Sequence, residues 1–384
     1  MVDVGRHPNI ELLTMCEVIE AKGYVGSFEV TLRKHPRYVT EDCTFCGECL
    51  QRCNVFAEDE FNVGRGLRKA IYTPFLQSVP RQYVIDDKAC IHFSEEGCQK
   101  CVEDCKKHAI DFSQTVEEET LHVGTIIAAT GIKPYDPTGL YGYGDDHFPD
   151  VITSMELERM MSPEGPTHGR VMQPSTGELP KSVAFIQCVG SRSLKEGELS
   201  YCSKLCCPNT IKNALLLREH FPELEIYVFH NGVRTSGNRQ ERMFLNARRQ
   251  GVVFVNTFPE IMEGHVLAFC DPFLGEDRLF KKQFDLVTLA VGILPTALDN
   301  NMFTKSRVMG LRDKLSTQGI NPERLMLEWI SASEGQRFVD AIQRMEQLRV
   351  DEDEIEMSKM IFSQLKKKRR KKEDKIRSQS DFIA

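Results

Sequence analysis

The chain has little tryptophan: Trp329 stands alone among 384 residues, and in its strand-like LEWIS stretch it reads as core. There is no run of about 18 apolar residues, so no membrane-spanning helix is expected. Met1 is followed by VDVGRHPN, without an apolar stretch; no secretory leader is read, and a cytoplasmic setting is expected. Thiols stay reduced there, which argues against disulfides. No acid–base or nucleophile constellation stands out. The ten histidines are scattered, and His108 and His122 read as surface or packing residues. No catalytic side chain is expected. The net charge of −7 is unevenly placed, with KKKRRKK at 366–372 and DEDEIE at 351–356. That balance does not suggest a nucleic-acid-binding body.

Cysteine is what the chain does have, fourteen in all. Cys43, Cys46, Cys49 and Cys53 are spaced C-x2-C-x2-C-x3-C. Cys90, Cys98, Cys101 and Cys105 end in the same way after a stretched first gap. Thiolates hold iron–sulfur clusters, and this is bacterial ferredoxin spacing, in which the fourth cysteine of each run reaches across to the other cluster. The expectation is one [4Fe–4S] cluster on Cys43, Cys46, Cys49 and Cys105, and a second on Cys90, Cys98, Cys101 and Cys53. Structural zinc competes, although its sites usually pair two C-x2-C knuckles. The proline that usually follows the fourth cysteine is replaced by Asn54 and Lys106; it shapes a turn and supplies no ligand. Cys16 and Cys270 stand apart and read as buried, inert residues.

Hydrophobic content of 41% permits real cores, and the length allows two or three domains. Residues 1–36 read as β-meander: 27–33 alternate apolar with polar, and 16–19 are a partner strand, with the turn at Lys22-Gly23. Residues 37–115 form the ferredoxin-like unit. The 36 residues between Cys53 and Cys90 imply an inserted loop that serves an interface. Residues 116–300 read as α/β. The apolar run 123–131 is expected to be a buried parallel strand meeting a tight turn. Strands at 181–188, 224–229, 251–255 and 284–289 alternate with helices at 209–220 and 241–250, which predicts βαβ units on a parallel sheet. Over 301–350, helices at 306–318 and 334–348 flank a strand at 325–330. Residues 351–384 are charge-rich and read as a disordered tail.

Cys188, Cys202, Cys206 and Cys207 form a third group, C-x13-C-x3-C-C. Cys188 ends a predicted strand, where ligands of open parallel sheets sit. Cys206 and Cys207 open a helix, whose N-terminus favours thiolates and anions. Spacing alone leaves redox thiols or inert cysteines open as alternatives.

The stretches HPNIELLT, CTFCGECLQRC, VGTIIAATGIKPYDP, FIQCVGSR and YCSKLCCPNTIK resemble the A subunit of heterodisulfide reductase and its relatives, over roughly 2–296. The resemblance implies a thioredoxin-reductase-like flavoprotein fold with an inserted two-cluster ferredoxin domain. It also implies a third [4Fe–4S] cluster on Cys188, Cys202, Cys206 and Cys207. Residues 319–325 and 327–335 are similar to the end of the delta (iron–sulfur) subunit of methyl-viologen-reducing hydrogenase, without its two-iron-cluster cysteines. The family's flavin site would involve Gly124, Thr130 and Gly131. This chain, however, has no G-x-G-x-x-G turn for the pyrophosphate, so independent FAD binding is not expected. CVGSR stands where a nicotinamide-binding turn would be glycine-rich, and is read as a cluster site.

The leading expectation is an iron–sulfur electron-transfer subunit. It would relay electrons within a heterodisulfide reductase-like, hydrogenase or quinone-linked complex, and is expected neither to bind nucleic acid nor to be an integral membrane protein. A flavin-dependent oxidoreductase acting alone, and a non-redox scaffold, are the alternatives.

Overall fold

In the computed structural model, the described residues are 2–295, apart from 25, 95–96, 130, 146, 196–197, 263–264 and 272–277, together with 309, 312–313, 316–317 and 335–349. The chain begins with α1 (Val2–Arg6), β1 (Cys16–Tyr24) and β2 (Ser27–Lys34). The cysteine-rich stretch carries α2 (Glu48–Arg52), β3 (Phe56–Glu58), β4 (Leu67–Lys69), β5 (Ile71–Tyr72), β6 (Val84–Ile85) and α3 (Lys100–Glu103). Then come β7 (Glu117–Val123), β8 (Ile132–Pro134), β9 (Val151–Thr153), α4 (Ser154–Met161), β10 (Ser182–Val189), α5 (Cys206–His220), β11 (Glu225–Phe229), α6 (Gln240–Arg249) and β12 (Val253–Val255). The remainder is β13 (Glu260–Met262), β14 (Val266–Cys270), β15 (Leu279–Gln283), β16 (Leu286–Val291), β17 (Ile293–Pro295) and α7 (Gly335–Arg349).

A five-stranded parallel sheet of order β12-β11-β10-β16-β9 organises the α/β part. Its strands are apolar almost throughout because both faces are covered. Alternate residues of β10 sort by face. Val183 and Phe185 join a core with Ile211, Ala214 and Leu217 of α5, Leu157 of α4 and Ala247 of α6. Ala184 and Ile186 join a second core with Leu267 and Phe269 of β14 and Phe284, against which Tyr135, Tyr141, Tyr143 and Phe148 pack. Helices thus cover one face. The other carries the antiparallel sheet β13-β14-β15 and an aromatic loop. Burying each such Phe, Leu or Ile contributes about 1.5–3 kcal/mol. A capping box starts α4: Thr153 Oγ1 accepts from Glu156 N while the Glu156 carboxylate takes Thr153 N.

The N-terminal sheet is β1-β2-β7, all antiparallel. Two neighbouring strands, β2 and β7, are separated in sequence by the whole cysteine-rich stretch, so that stretch leaves the sheet and returns to it. Within it, Tyr38, Val39, Cys49, Ile71, Tyr83, Ile85 and Ile110 form a separate small core.

Two expectations need correction. The partner strand is not confined to 16–19: β1 pairs with β2 through Lys22-Gly23 to Tyr24, so the turn comes later. Residues 123–131 are not a buried parallel strand. Val123 ends antiparallel β7, and Ile126 and Ile127 are 42% and 50% exposed. A strand needs a neighbour for its N–H and C=O groups; Gly124 O accepts from Gly26 N, and among the described residues no ladder continues past it. The strand read at 325–330 and most of the helix read at 306–318 lie outside the described residues, as does the tail beyond 350.

Candidate metal centres

Cys43, Cys46, Cys49 and Cys105 line one cavity, with Val39, Tyr83 and Lys106 among its other walls. Cys53, Cys90, Cys98 and Cys101 line a second, with Arg52, Asn54 and Lys100. These are the two sets that the spacing groups together. Short helices produce the exchange. Cys49 lies in α2 and Cys53 caps its C-terminal end; Cys101 lies in α3 and Cys105 follows it. The fourth cysteine of each run lies just past the end of its helix, displaced along the axis from the third, and lines the neighbouring cavity. Ile71 lines both cavities and stands between them. Gly47, at φ 88, turns the chain into α2, a conformation glycine adopts without the steric cost of a Cβ. Lys69 Nζ donates to Leu50 O at the end of α2 (2.7 Å), and Ala109 N donates to Cys105 Sγ (3.3 Å).

Burial raises Cys49, Cys90 and Cys101. It pushes Cys49 up to about 12, helped by the neighbouring Cys43, Cys101 and Cys105. Burial also pushes Cys101 up to about 12, with Cys90, Cys98 and Cys53 adding to it. Without a metal both stay neutral at pH 7. An iron cluster supplies the charge that makes coordinating thiols thiolates. Lys106 and Lys107 on one cavity, and Lys100 on the other, would offset the charge of a thiolate-bound cluster; Arg52, also on the second cavity, pairs with Asp104.

The third group sits where the parallel sheet changes direction. From β10 the chain winds outward to β11 and β12, whereas β16 lies on the opposite side of β10. Crevices at such switch points, beyond the carboxyl ends of the strands, are where doubly wound sheets take their ligands. Cys188 lies at the end of β10, with φ 59. Ile186 pairs with Leu289 and Val189 with Val291, so β10 carries one extra residue. This bulge re-aims the chain at the site. The Cys206 thiol donates to Val291 O at the end of β16 (3.1 Å). Burial raises Cys188 and Cys207 and pushes Cys206 up to about 11; in each case other members of the group add to the effect. The four thiols are therefore neighbours. Arg192 and Arg234 hold Cys188 back toward ionisation, and a backbone hydrogen bond at Arg234 does the same for Cys207. Sequence reasoning missed Arg234, which lies far along the chain with no motif to mark it. Gly190 packs beneath Tyr135, where a Cβ would come within 2.2 Å of the ring.

The residues read as flavin-binding follow β7 in the chain. Gly124 closes the end of the N-terminal sheet, Gly131 is exposed with φ 75, and Thr130 lies outside the described residues. Among the described residues, no three or more His, Cys, Asp or Glu side chains draw close enough to hold a single metal ion, and no helix is long and apolar enough to cross a membrane.

The insertion between the cysteine runs forms an intramolecular interface. Arg65 Nε bonds Glu156 Oε1 (2.6 Å), Arg159 Nε bonds Asn62 Oδ1 (2.7 Å) and Gln77 Nε2 bonds Glu164 Oε1 (2.6 Å).

Twelve cysteines thus fall in three groups of four on an α/β scaffold. Comparison with known proteins gives the kind of protein that the chain resembles. The chain is 42% identical over 302 residues to the A subunit of the H(2):CoB-CoM heterodisulfide,ferredoxin reductase of Methanothermobacter thermautotrophicus, covering 77% of this chain and 45% of that protein. It is 42% identical over 331 residues to the iron-sulfur A subunit of the CoB--CoM heterodisulfide reductase of Methanocaldococcus jannaschii, covering 84% and 48%. With the A subunit of the Ferredoxin/F(420)H(2)-dependent CoB-CoM heterodisulfide reductase of Methanosarcina acetivorans the identity is 39% over 303 residues, covering 77% and 37%. The family model of the methyl-viologen-reducing hydrogenase delta subunit matches residues 279–350, starting within the α/β part at β15. The chain thus resembles the heterodisulfide reductase A subunit over most of its length, joined to a C-terminal segment like the hydrogenase delta subunit. It spans less than half the length of these relatives.

Proposed function

We propose that the chain is an iron–sulfur electron-transfer component of a heterodisulfide reductase-like complex. The observation that carries this reading is the sorting of eight cysteines into two cavities of four, each drawing three thiols from one run and one from the other. Cys43, Cys46, Cys49 and Cys105 would hold one [4Fe–4S] cluster, and Cys53, Cys90, Cys98 and Cys101 the second. Four thiols around a cavity suit a cluster; a single zinc ion needs its sulfurs about 2.3 Å from one centre. Cys188, Cys202, Cys206 and Cys207 would hold a third. When bound, the clusters supply one-electron carriers; the protein's share is to fix their positions and to tune them through burial, nearby charge and N–H···S bonds.

In this reading residues 37–115 are a two-cluster ferredoxin unit inserted into a thioredoxin-reductase-like fold. The pairing of β2 with β7 across that stretch supports the insertion. Residues 301–350 dock a hydrogenase or another electron donor, and the setting is cytoplasmic. Gly124, Thr130 and Gly131 would approach flavin only when another polypeptide completes the site, so this chain by itself carries little FAD.

Iron and flavin quantification on anaerobically purified protein, with low-temperature EPR after reduction, tests the proposal. It predicts about twelve irons in three four-iron clusters and little flavin. Protein with zinc in place of iron, or with stoichiometric FAD, would contradict it.

A further inference from the structure

Around the chain segments that carry the third cysteine group lies a set of buried polar side-chain atoms with no hydrogen-bond partner among the described residues. Gln187 has both amide atoms buried and unpaired, and Thr210 Oγ1, Asn213 Oδ1 and Thr288 Oγ1 share that state. The four residues are 0–1% exposed. The set lies in the layer where β10 and β16 meet α5. Gln187 immediately precedes Cys188, inside the bulge between Ile186 and Val189 of β10. Thr288 stands beside Phe185 on β16. Thr210 lies one turn beyond Cys206 in α5, and Asn213 follows on the same buried face. Asn213 Nδ2 reaches Glu158 Oε1 (3.4 Å), which also takes Lys212 Nζ (2.8 Å). The set therefore runs from the thiols to a carboxylate that meets solvent.

Buried polar atoms are nearly always paired. Where protein does not pair them, ordered water does, provided the site is polar, has room for a water and offers two to four partners. This set supplies the partners: one amide donates and accepts, two hydroxyls do both, and a second amide oxygen accepts. Elsewhere the same layer is filled by Val, Ile, Leu and Phe.

We propose that Gln187, Thr210, Asn213 and Thr288 enclose ordered water beneath Cys188, Cys202, Cys206 and Cys207, and that these dipoles set the reduction potential of the cluster held there. The proposal rests on the third-cluster reading. Water and hydroxyl dipoles turn toward added negative charge, so they favour the reduced cluster. They act through the field alone; no bond is made or broken, and no proton is transferred.

The test is an EPR-monitored redox titration with dithionite on the anaerobic, iron-loaded full chain. Thr210→Val and Thr288→Val, singly and together, keep the side-chain shape and remove the hydroxyls. The expected result is a lower midpoint for the third cluster's signal, with the other two midpoints and the iron content unchanged. Thr210→Ser, which restores a hydroxyl, should titrate like the parent. A third midpoint that does not move in the double variant overturns the proposal alone. A parent protein with only two cluster signals overturns the underlying reading and the proposal with it. If the double variant does not fold, a high-resolution crystal structure of the parent decides: water bonded to Gln187 and Thr210 supports the proposal, and direct bonds between them with no water overturn it.

Discussion

Arg65 Nε lies 2.6 Å from Glu156 Oε1, joining the loop between the two cysteine runs to the first turn of α4. The Glu156 side chain is 3% exposed, and its other oxygen holds Thr153 N and Oγ1. One carboxylate thus both caps the helix and receives the cysteine-rich stretch.

Replacing Arg65 with alanine should destabilise the protein by about 1–3 kcal/mol. It removes one partner of a largely buried pair, while the Thr153 contacts still satisfy part of the carboxylate. Chemical denaturation of Arg65→Ala against parent checks this. An unchanged midpoint would mean that the loop does not rest on α4.

Tyr143 gives a pH signature. Burial first, and then the charge of Glu156, push its hydroxyl up to about 12. The unfolded chain ionises this group near 10, so the stability it contributes is complete below pH 10 and is lost as pH rises toward 12. Alkaline denaturation of Tyr143→Phe should accordingly show a shallower loss of stability between pH 10 and 12 than the parent. Equal slopes would place Tyr143 in water.

Gly190→Ala should damage the third cysteine site selectively. The added Cβ would overlap the Tyr135 ring, at a backbone φ of 66, and overpacking of this kind costs about 1–3 kcal/mol. The readout is EPR after reduction: one cluster signal weakened and two intact.

Ile126→Lys and Ile127→Lys should change the melting temperature little, because exposed substitutions stay within about ±0.5 kcal/mol. A large loss would restore the buried strand that the apolar run suggests.

The cysteine groups were legible because ligand spacing is local: the fourth thiol of each run sits past the end of a short helix, displaced from the third toward the neighbouring cavity. The strands at 182–189 and 225–229 were legible because they are covered on both faces over most of their length, leaving the apolar runs VAFI and IYVF. The same signal misleads at 123–131, since apolarity reports the tendency to be covered and not the presence of a cover. The Arg65–Glu156 pair joins residues 91 apart, and neither lies in a motif. The extra residue in β10 is likewise invisible in FIQCV, because a bulge shows only when a partner strand is laid beside it.

Exchange of the fourth cysteine is the centre of the account. It is tested by Cys105→Ser in anaerobically purified protein, with the reduced cluster signals compared by EPR against Cys46→Ser and Cys98→Ser. The account predicts that Cys105→Ser removes the signal lost in Cys46→Ser and spares the one lost in Cys98→Ser. Loss of the Cys98 signal, which would keep each cluster within its own run of sequence, would contradict it.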